Sequence, residues 1–316
     1  MFKNVIEKLN RAECVGIFTH TNPDGDALGS AYSLKNVLTD MDKRAEVYLC
    51  GGIENSVFEL VLANENPEIS VDECDMLIAL DCADIERLAD WKDVFASHEN
   101  TAAIDHHITH KAFAKETVVA DVSSTCEIMY TLYREMNAKI SLEAATDLYI
   151  GIATDTGNFK YSSVTGDTHR VAAELIEMGV PFADISKKLF DTVSKEYLAL
   201  FSRAASKIEF YFGGKVAILC LNDADFEECG IDEASASAIV TMPGNIKGAE
   251  VGVYVRQRGE QEYKVSLRSA KYVDVSKLAQ GFGGGGHIRA AGYSVKAESV
   301  DENIRELLAR LERELA

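Results

Sequence analysis

The sequence predicts an α/β chain with a doubly wound, mainly parallel sheet over residues 1–185, a helical connector over 186–207 and a smaller α+β domain over 208–316. Three observations carry this expectation. Short apolar runs alternate with helical patterns through the first half, which implies parallel crossovers. Helical signals then dominate from Ser124 to about Lys207. Beyond that point strand patterns return and a single helix closes the chain.

In the first half, strands are expected at Cys14 to Thr19, Ala45 to Leu49, Met76 to Asp81, Thr101 to Ile104 and Thr117 to Ala120. Between the first two, Ala27, Leu28, Ala31, Leu34, Val37 and Leu38 fall on helical spacing. Ser124 with Glu127 has the form of a capping box opening a helix through Met136, and Ser141 can cap Leu142 to Ala153. The pattern from Thr165 to Met178 stops at Gly179 with Pro181 beyond, a C-terminal signal. In the second domain Ile208 to Phe212, Val216 to Leu221, Glu250 to Arg256 and Tyr263 to Arg268 read as strands, and Ser299 to Glu302 cap a helix to Leu315. A glycine run, Gly283 to Gly286, lies between.

At 316 residues and 47% hydrophobic content the chain can fill two cores. The net charge of -19 is uneven: residues 241–316 hold 12 Lys and Arg against 10 Asp and Glu, so the first 240 residues carry about -21. Such an acidic body repels a long polyanion, which excludes long duplex nucleic acid as a partner and confines any nucleotide substrate to short ones. No run of 18 apolar residues exists and the first residues lack the apolar core of a signal peptide, so no membrane partner and a cytoplasmic location are expected. The seven cysteines are scattered and form no C-x-x-C pair, which points to small buried hydrophobes.

The chemistry concentrates where strands end. The run from Cys14 leads into His20, Asp24 and Asp26, the run from Met76 ends at Asp81, and the run from Thr101 ends in Asp105-His106-His107. In open α/β sheets ligands bind at the carboxyl ends of the strands, so these groups should converge on one crevice. A mixed imidazole and carboxylate set suits a divalent transition metal such as Mn²⁺ better than Mg²⁺. Neighbours in a strand point to opposite sides, so Asp105, His106 and His107 cannot all be ligands, and one histidine can act on substrate instead. Asp155, at the C-terminal end of a helical pattern, is unfavourable against the helix dipole unless a cation lies nearby. His98, His110 and His169 show no partner pattern and are expected to be solvated or structural. In the second domain the glycine run is either a hinge or an anion-binding loop with His287 and Arg289 adding donors, and Arg268, at a strand end beside Ser269, suits bidentate phosphate recognition.

The combination His-x-x-x-Asp-x-Asp, Leu-Asp, Asp-His-His, Thr-Asp-Thr-Gly and Gly-Gly-Gly-His, in this order over nearly the whole chain, resembles the DHH–DHHA1 phosphoesterases, and within them the bifunctional oligoribonuclease and pAp phosphatase group. The resemblance implies a two-manganese centre, with another divalent metal as an alternative. It places His20, Asp24 and Asp81 on one ion and Asp26, Asp81, His106 and Asp155 on the other. It also implies His107 beside the reacting phosphate, Asp105 in support, and a substrate grip formed by Arg268, Ser269, Gly284, Gly285, Gly286, His287 and Arg289. The implied partners are short oligoribonucleotides, a mononucleotide bisphosphate (3'-phosphoadenosine 5'-phosphate, pAp) or dinucleotides, with a homodimer as the assembly to check. Cyclic or linear dinucleotide phosphodiesterase (c-di-AMP, pApA) activity is the alternative on the same scaffold, and a non-catalytic nucleotide-binding module a more distant one. Manganese pyrophosphatases share the first-domain motifs but not the Gly-Gly-Gly-Gly-His domain, and RecJ-type exonucleases are longer and more basic.

Overall fold

The computed structural model describes residues 1–51, 57, 60–61, 67–259, 261–297 and 299–315. Two compact units divide the chain, Met1–Thr192 and Val193–Ala316.

In the first unit the strands β1 (Cys14–Phe18), β2 (Arg44–Tyr48), β3 (Met76–Leu80), β4 (Thr101–Asp105) and β5 (Glu116–Val119) form a parallel sheet in the order β2-β1-β3-β4-β5. Period-2 alternation sends Met76, Ile78 and Leu80 into one apolar layer and Leu77 and Ala79 into another. Both faces are therefore buried, which is why these strands read as unbroken apolar runs. The first layer is covered by α1 (Lys3–Arg11), α2 (Gly25–Asp40), α4 (Thr125–Glu135) and α5 (Leu142–Asp155), and the second by residues around α3 (Lys92–Ser97). Helices on opposite faces are the doubly wound arrangement expected from the sequence.

Strand order reverses between β1 and β3, so the crevice of this sheet opens at their carboxyl ends. Close approach of α2 and α5 delivers further residues there. A Cβ on Gly29 would lie 2.4 Å from the Asp147 carbonyl, and one on Gly151 would lie 2.2 Å from Cys126 Sγ and 3.0 Å from Asp26 Oδ1. Only glycine permits that contact, which brings Asp26 on α2 near Asp155 at the end of α5. The expected capping box at α4 forms by half: Ser124 Oγ accepts the Glu127 amide at 3.2 Å, but the Glu127 carboxylate turns inward to Ser123 Oγ (2.6 Å) and Thr168 Oγ1 (3.0 Å). After α6 (Gly166–Glu177), α7 (Phe182–Ser186) runs into a π-helical turn at Lys187–Asp191.

The second unit begins with α8 (Lys195–Lys207), whose Leu200 and Ala204 pack on Leu219, Leu221 and Tyr254. Its sheet runs β10 (Gly285–His287), β11 (Ala290–Lys296), β9 (Glu262–Ser269), β8 (Val251–Arg258), β7 (Val216–Leu221) and β6 (Glu209–Tyr211), antiparallel except for β7 with β8. Beneath it lie α10 (Val275–Gln280) and α11 (Val300–Leu315), burying Val275, Leu278, Leu307 and Leu311. Strands β10 and β11 had no alternating signal in the sequence, because their first residues are glycine and alanine.

Helix α9 (Asp223–Cys229) is fixed by a buried acid. Asp225 accepts the Asn222 amide at 2.9 Å and Arg203 Nη1 at 3.2 Å, and also pairs with Lys207. Burial pushes its carboxyl up, but Lys207, the Asn222 amide and Arg203 outweigh this and hold it below the usual carboxylate range. A depressed folded-state pKa stabilises above the unfolded value of about 3.9 and ceases to do so as pH falls through the folded value. Asp225→Asn is thus expected to lose about 1–3 kcal/mol at pH 7. In urea melts the gap to wild type should narrow below about pH 4.

Candidate metal centre

His20 follows β1, buried, with ring Nδ1 2.9 Å from the Thr21 carbonyl. A carbonyl only accepts, so Nδ1 carries a proton, and Nε2 is the nitrogen that could bind an ion once its own proton is displaced. That Nε2 lies 3.6 Å from Asp81 Oδ2 and 3.8 Å from Asp24 Oδ1. Asp24 also caps α2, its Oδ1 accepting the Asp26 and Ala27 amides at 3.1 Å each.

His106 repeats the device from β4. Its Nδ1 lies 3.2 Å from the Val122 carbonyl, and its Nε2 faces Asp155 Oδ2 at 3.4 Å, Asp81 Oδ1 at 3.6 Å and Asp26 Oδ2 at 4.0 Å. The two oxygens of Asp81 therefore address different imidazoles. Asp81 achieves this with φ +54° at the end of β3, a left-handed backbone that Asp tolerates better than most residues.

The N-terminus of α4 secures the acids. The Thr125 amide donates to Asp26 Oδ2 (2.6 Å), the Cys126 amide to Asp26 Oδ1 (2.9 Å), and Thr125 Oγ1 to Asp81 Oδ1 (3.0 Å). Even so, burial, with Asp81, Asp155 and Asp24 adding repulsion, pushes the Asp26 carboxyl well above its ordinary value. Burial also raises Asp155 to about 6, His106 opposing and Asp81 and Asp24 reinforcing. Burial alone would lower His20, but Asp24 and Asp81 raise it to about 10.

These groups call for positive charge, and among the described residues the basic nitrogens within 4.0 Å of Asp24, Asp26, Asp81 and Asp155 belong to imidazoles rather than to Lys or Arg. At 3.4–4.0 Å from these carboxylate oxygens the imidazole nitrogens stand beyond the usual hydrogen-bond distance, and a divalent ion lying between them would take the place of the proton that Asp24 and Asp81 favour on His20. Three donor groups have ligand atoms all within 4.8 Å of one another: His20, Asp24 and Asp81; Asp26, His106 and Asp155; Asp81, His106 and His107. The donor set fits divalent transition-metal ions. All six residues expected at the centre are brought together.

His107 stands apart in its bonding. Its Nδ1 lies 2.7 Å from Asp105 Oδ1 and 3.6 Å from Asp81 Oδ1. The hydrogen bond to Asp105 raises its pKa against the effect of burial, with Asp81 adding. Asp105, fully buried, accepts the His106 amide at 2.9 Å and gathers the rings of His107 and, unexpectedly, His110.

Two contributors escaped the sequence reading. Thr125 sat behind a strong capping signal at Ser124, and His110 lacked any motif. Thr125→Val, which keeps the amide but removes the hydroxyl, is expected to weaken divalent-metal affinity about tenfold in a Mn²⁺ titration.

In the second unit, register sets Arg268 opposite Ala290 and Ala290 opposite His287, so Arg268 and His287 project from one face, two strands apart. Arg268 Nη1 donates to the Leu267 carbonyl (3.1 Å), and Arg289 Nη1 to the Val273 carbonyl (2.8 Å) and Ser269 Oγ (3.3 Å). The glycine run is partly built into the sheet. Gly285 and Gly286 lie in β10, the first arm of a hairpin turning at Ile288-Arg289. The Gly283 and Gly284 amides already donate to the Gln280 and Ala279 carbonyls at 3.0 and 2.9 Å. Gly284 instead allows close packing, since a Cβ there would lie 2.2 Å from the Gly292 carbonyl.

Comparison with known proteins identifies the family. Residues 14–152 match the N-terminal domain of the DHH family and residues 213–316 the DHHA1 domain. The chain is 32% identical to the bifunctional oligoribonuclease and PAP phosphatase NrnA of Thermus thermophilus, over 95% of this chain and 89% of that protein. It is 28% identical to the Bacillus subtilis protein of the same name, over 99% and 98% of the two chains. Among solved structures, an exopolyphosphatase-related protein of Bacteroides fragilis superposes with a TM-score of 0.88 at 26% identity, covering 99% of this chain and 95% of that one. The chain belongs to the DHH family, with a DHH domain followed by a DHHA1 domain.

Proposed function

We propose that this chain is a divalent-metal phosphoesterase that hydrolyses short oligoribonucleotides and 3'-phosphoadenosine 5'-phosphate in the cytoplasm. The observation that carries the reading is Asp81, whose Oδ2 and Oδ1 each lie 3.6 Å from a different imidazole Nε2, as a carboxylate shared between two ions requires. The relatives named above, similar over nearly their full length, support the substrate class.

In this reading His20, Asp24 and Asp81 hold one ion and Asp26, Asp81, His106 and Asp155 the other, manganese being the choice that suits their donors. A pair of such ions supplies Lewis acidity towards phosphoryl oxygens and a water of lowered pKa. The protein's own groups do the rest. The Thr21 and Val122 carbonyls hold the His20 and His106 rings with Nε2 towards the carboxylates. Asp105 holds the His107 ring through a proton on Nδ1, which leaves Nε2 turned away from Asp105, where a protonated Nε2 would donate to an anionic phosphoryl oxygen as charge grows there. Water adds its oxygen to phosphorus as the ester P–O bond breaks, and the leaving oxygen takes up a proton. No side chain becomes covalently attached.

Arg268 and His287, on one face of the second sheet, are assigned to a terminal phosphate of the substrate, with Ser269, Gly285, Gly286 and Arg289 around them. Arg268→Ala is expected to raise KM for pAp about tenfold with a much smaller change in kcat, and an unchanged KM would remove the assignment.

The reading as a whole is tested by incubating the protein and Mn²⁺ with pAp, RNA of two to five nucleotides, cyclic di-AMP and pyrophosphate. Turnover of the first two with little of the others is the expected result. Preferential turnover of cyclic di-AMP would replace it with a dinucleotide phosphodiesterase, and no turnover of any would refute an enzymatic role.

A further inference from the structure

Asp105 is fully buried, and its two oxygens are engaged in different ways. Oδ1 accepts the His106 amide (2.9 Å), the His107 amide (3.3 Å) and His107 Nδ1 (2.7 Å). Oδ2 accepts His110 Nδ1 at 2.7 Å. The His110 amide in turn donates to the His107 carbonyl at 3.1 Å, closing a turn over His107-Ile108-Thr109-His110 that returns both imidazoles to one carboxylate. The His110 side chain is only 4% exposed and stacks on Phe113, with ring centroids 5.5 Å apart and an interplanar angle of 28°. Phe113 contacts Phe95 in the apolar layer behind the sheet, so the His110 ring is seated on the core.

One atom is out of keeping with a purely structural residue. His110 Nε2 is buried and has no hydrogen-bond partner among the described residues. An unmet buried polar atom is costly, so the ring is retained here against a penalty. What the imidazole adds is a donor on a rigid ring, fixed by stacking, against the oxygen that His107 leaves free.

We propose that His110 is a positioning residue for phosphoester hydrolysis: it fixes Asp105 from Oδ2, and Asp105 thereby fixes His107 towards the phosphate. The kinetic consequence rests on the function proposed above; the positional one does not. Two variants separate donor from ring. His110→Phe keeps the stacked ring and removes the donor, whereas His110→Asn keeps a donor and removes the ring. With Mn²⁺ and pAp, His110→Phe is expected to lower kcat about ten- to a hundredfold while KM and the Mn²⁺ dissociation constant stay within about twofold, and His110→Asn to restore most of the rate.

Imidazole ¹⁵N–¹H spectra of the Mg²⁺-loaded protein supply a readout that needs no turnover. Wild type should show slowly exchanging Nδ1–H signals from His107 and His110; His110→Phe should lose or broaden that of His107, and His110→Asn should retain it. An unaltered His107 signal in His110→Phe, wild-type kcat in that variant, or equal slowing in both variants would overturn the assignment. Spectra behaving as stated in a protein that turns over no phosphoester would support the positioning of His107 and refute the functional reading instead.

Discussion

Asp81→Asn is expected to reduce kcat/KM for pAp by on the order of a thousandfold or more, because it removes the one carboxylate that faces both halves of the centre. Asn is the informative replacement. It is nearly isosteric, tolerates the left-handed backbone at φ +54°, and its side-chain oxygen can still accept Thr125 Oγ1. An Ala would add backbone strain to the loss of charge. Asp81 also repels Asp26 and Asp155. It attracts the His20 and His107 rings in compensation, so removing its charge should leave the Tm of the metal-free protein within about 4 °C of wild type in thermal melts. Lost activity together with lost stability would mean that Asp81 serves the fold instead.

Metal removal is expected to have the second large effect. An ion that binds only the folded state at a hundred times its dissociation constant adds about 2.7 kcal/mol. For a unit the size of Met1–Thr192 this corresponds to a rise in Tm of about 5–10 °C. EDTA should abolish both the rise and the activity, and Mn²⁺ should restore them. The rise should be largely missing in Asp81→Asn. An equal Mn²⁺ shift in that variant would place the stabilising ion elsewhere.

The course of the first sheet was legible because its strands are buried on both faces, so that runs such as Met76–Leu80 stand out without ambiguity. The convergence of His20, Asp81 and His106 was legible for the same reason, since each follows the carboxyl end of such a run. What the sequence hid depended on contacts between elements remote along the chain. Thr125 meets Asp81 across 44 positions and looked like an ordinary first-turn residue. His110 is defined by a carboxylate and a phenyl ring that pattern alone cannot bring to it. In the second unit the glycine run carried two readings, and its pairing with Ala290–Gly292 in a short edge strand depends on residues that carry no alternating signal. The helical stretch before it divides at Thr192, because Leu200 and Ala204 bury against the second sheet.

The central claim is that Asp81 joins two metal ions in one site. Anomalous diffraction from crystals grown with Mn²⁺, collected on either side of the manganese absorption edge, measures this directly. Two anomalous peaks per chain are predicted, roughly 3.5–4 Å apart, with one Asp81 oxygen on each or a single oxygen between them. A single peak, or two peaks with Asp81 bound to neither or only one, would contradict the account.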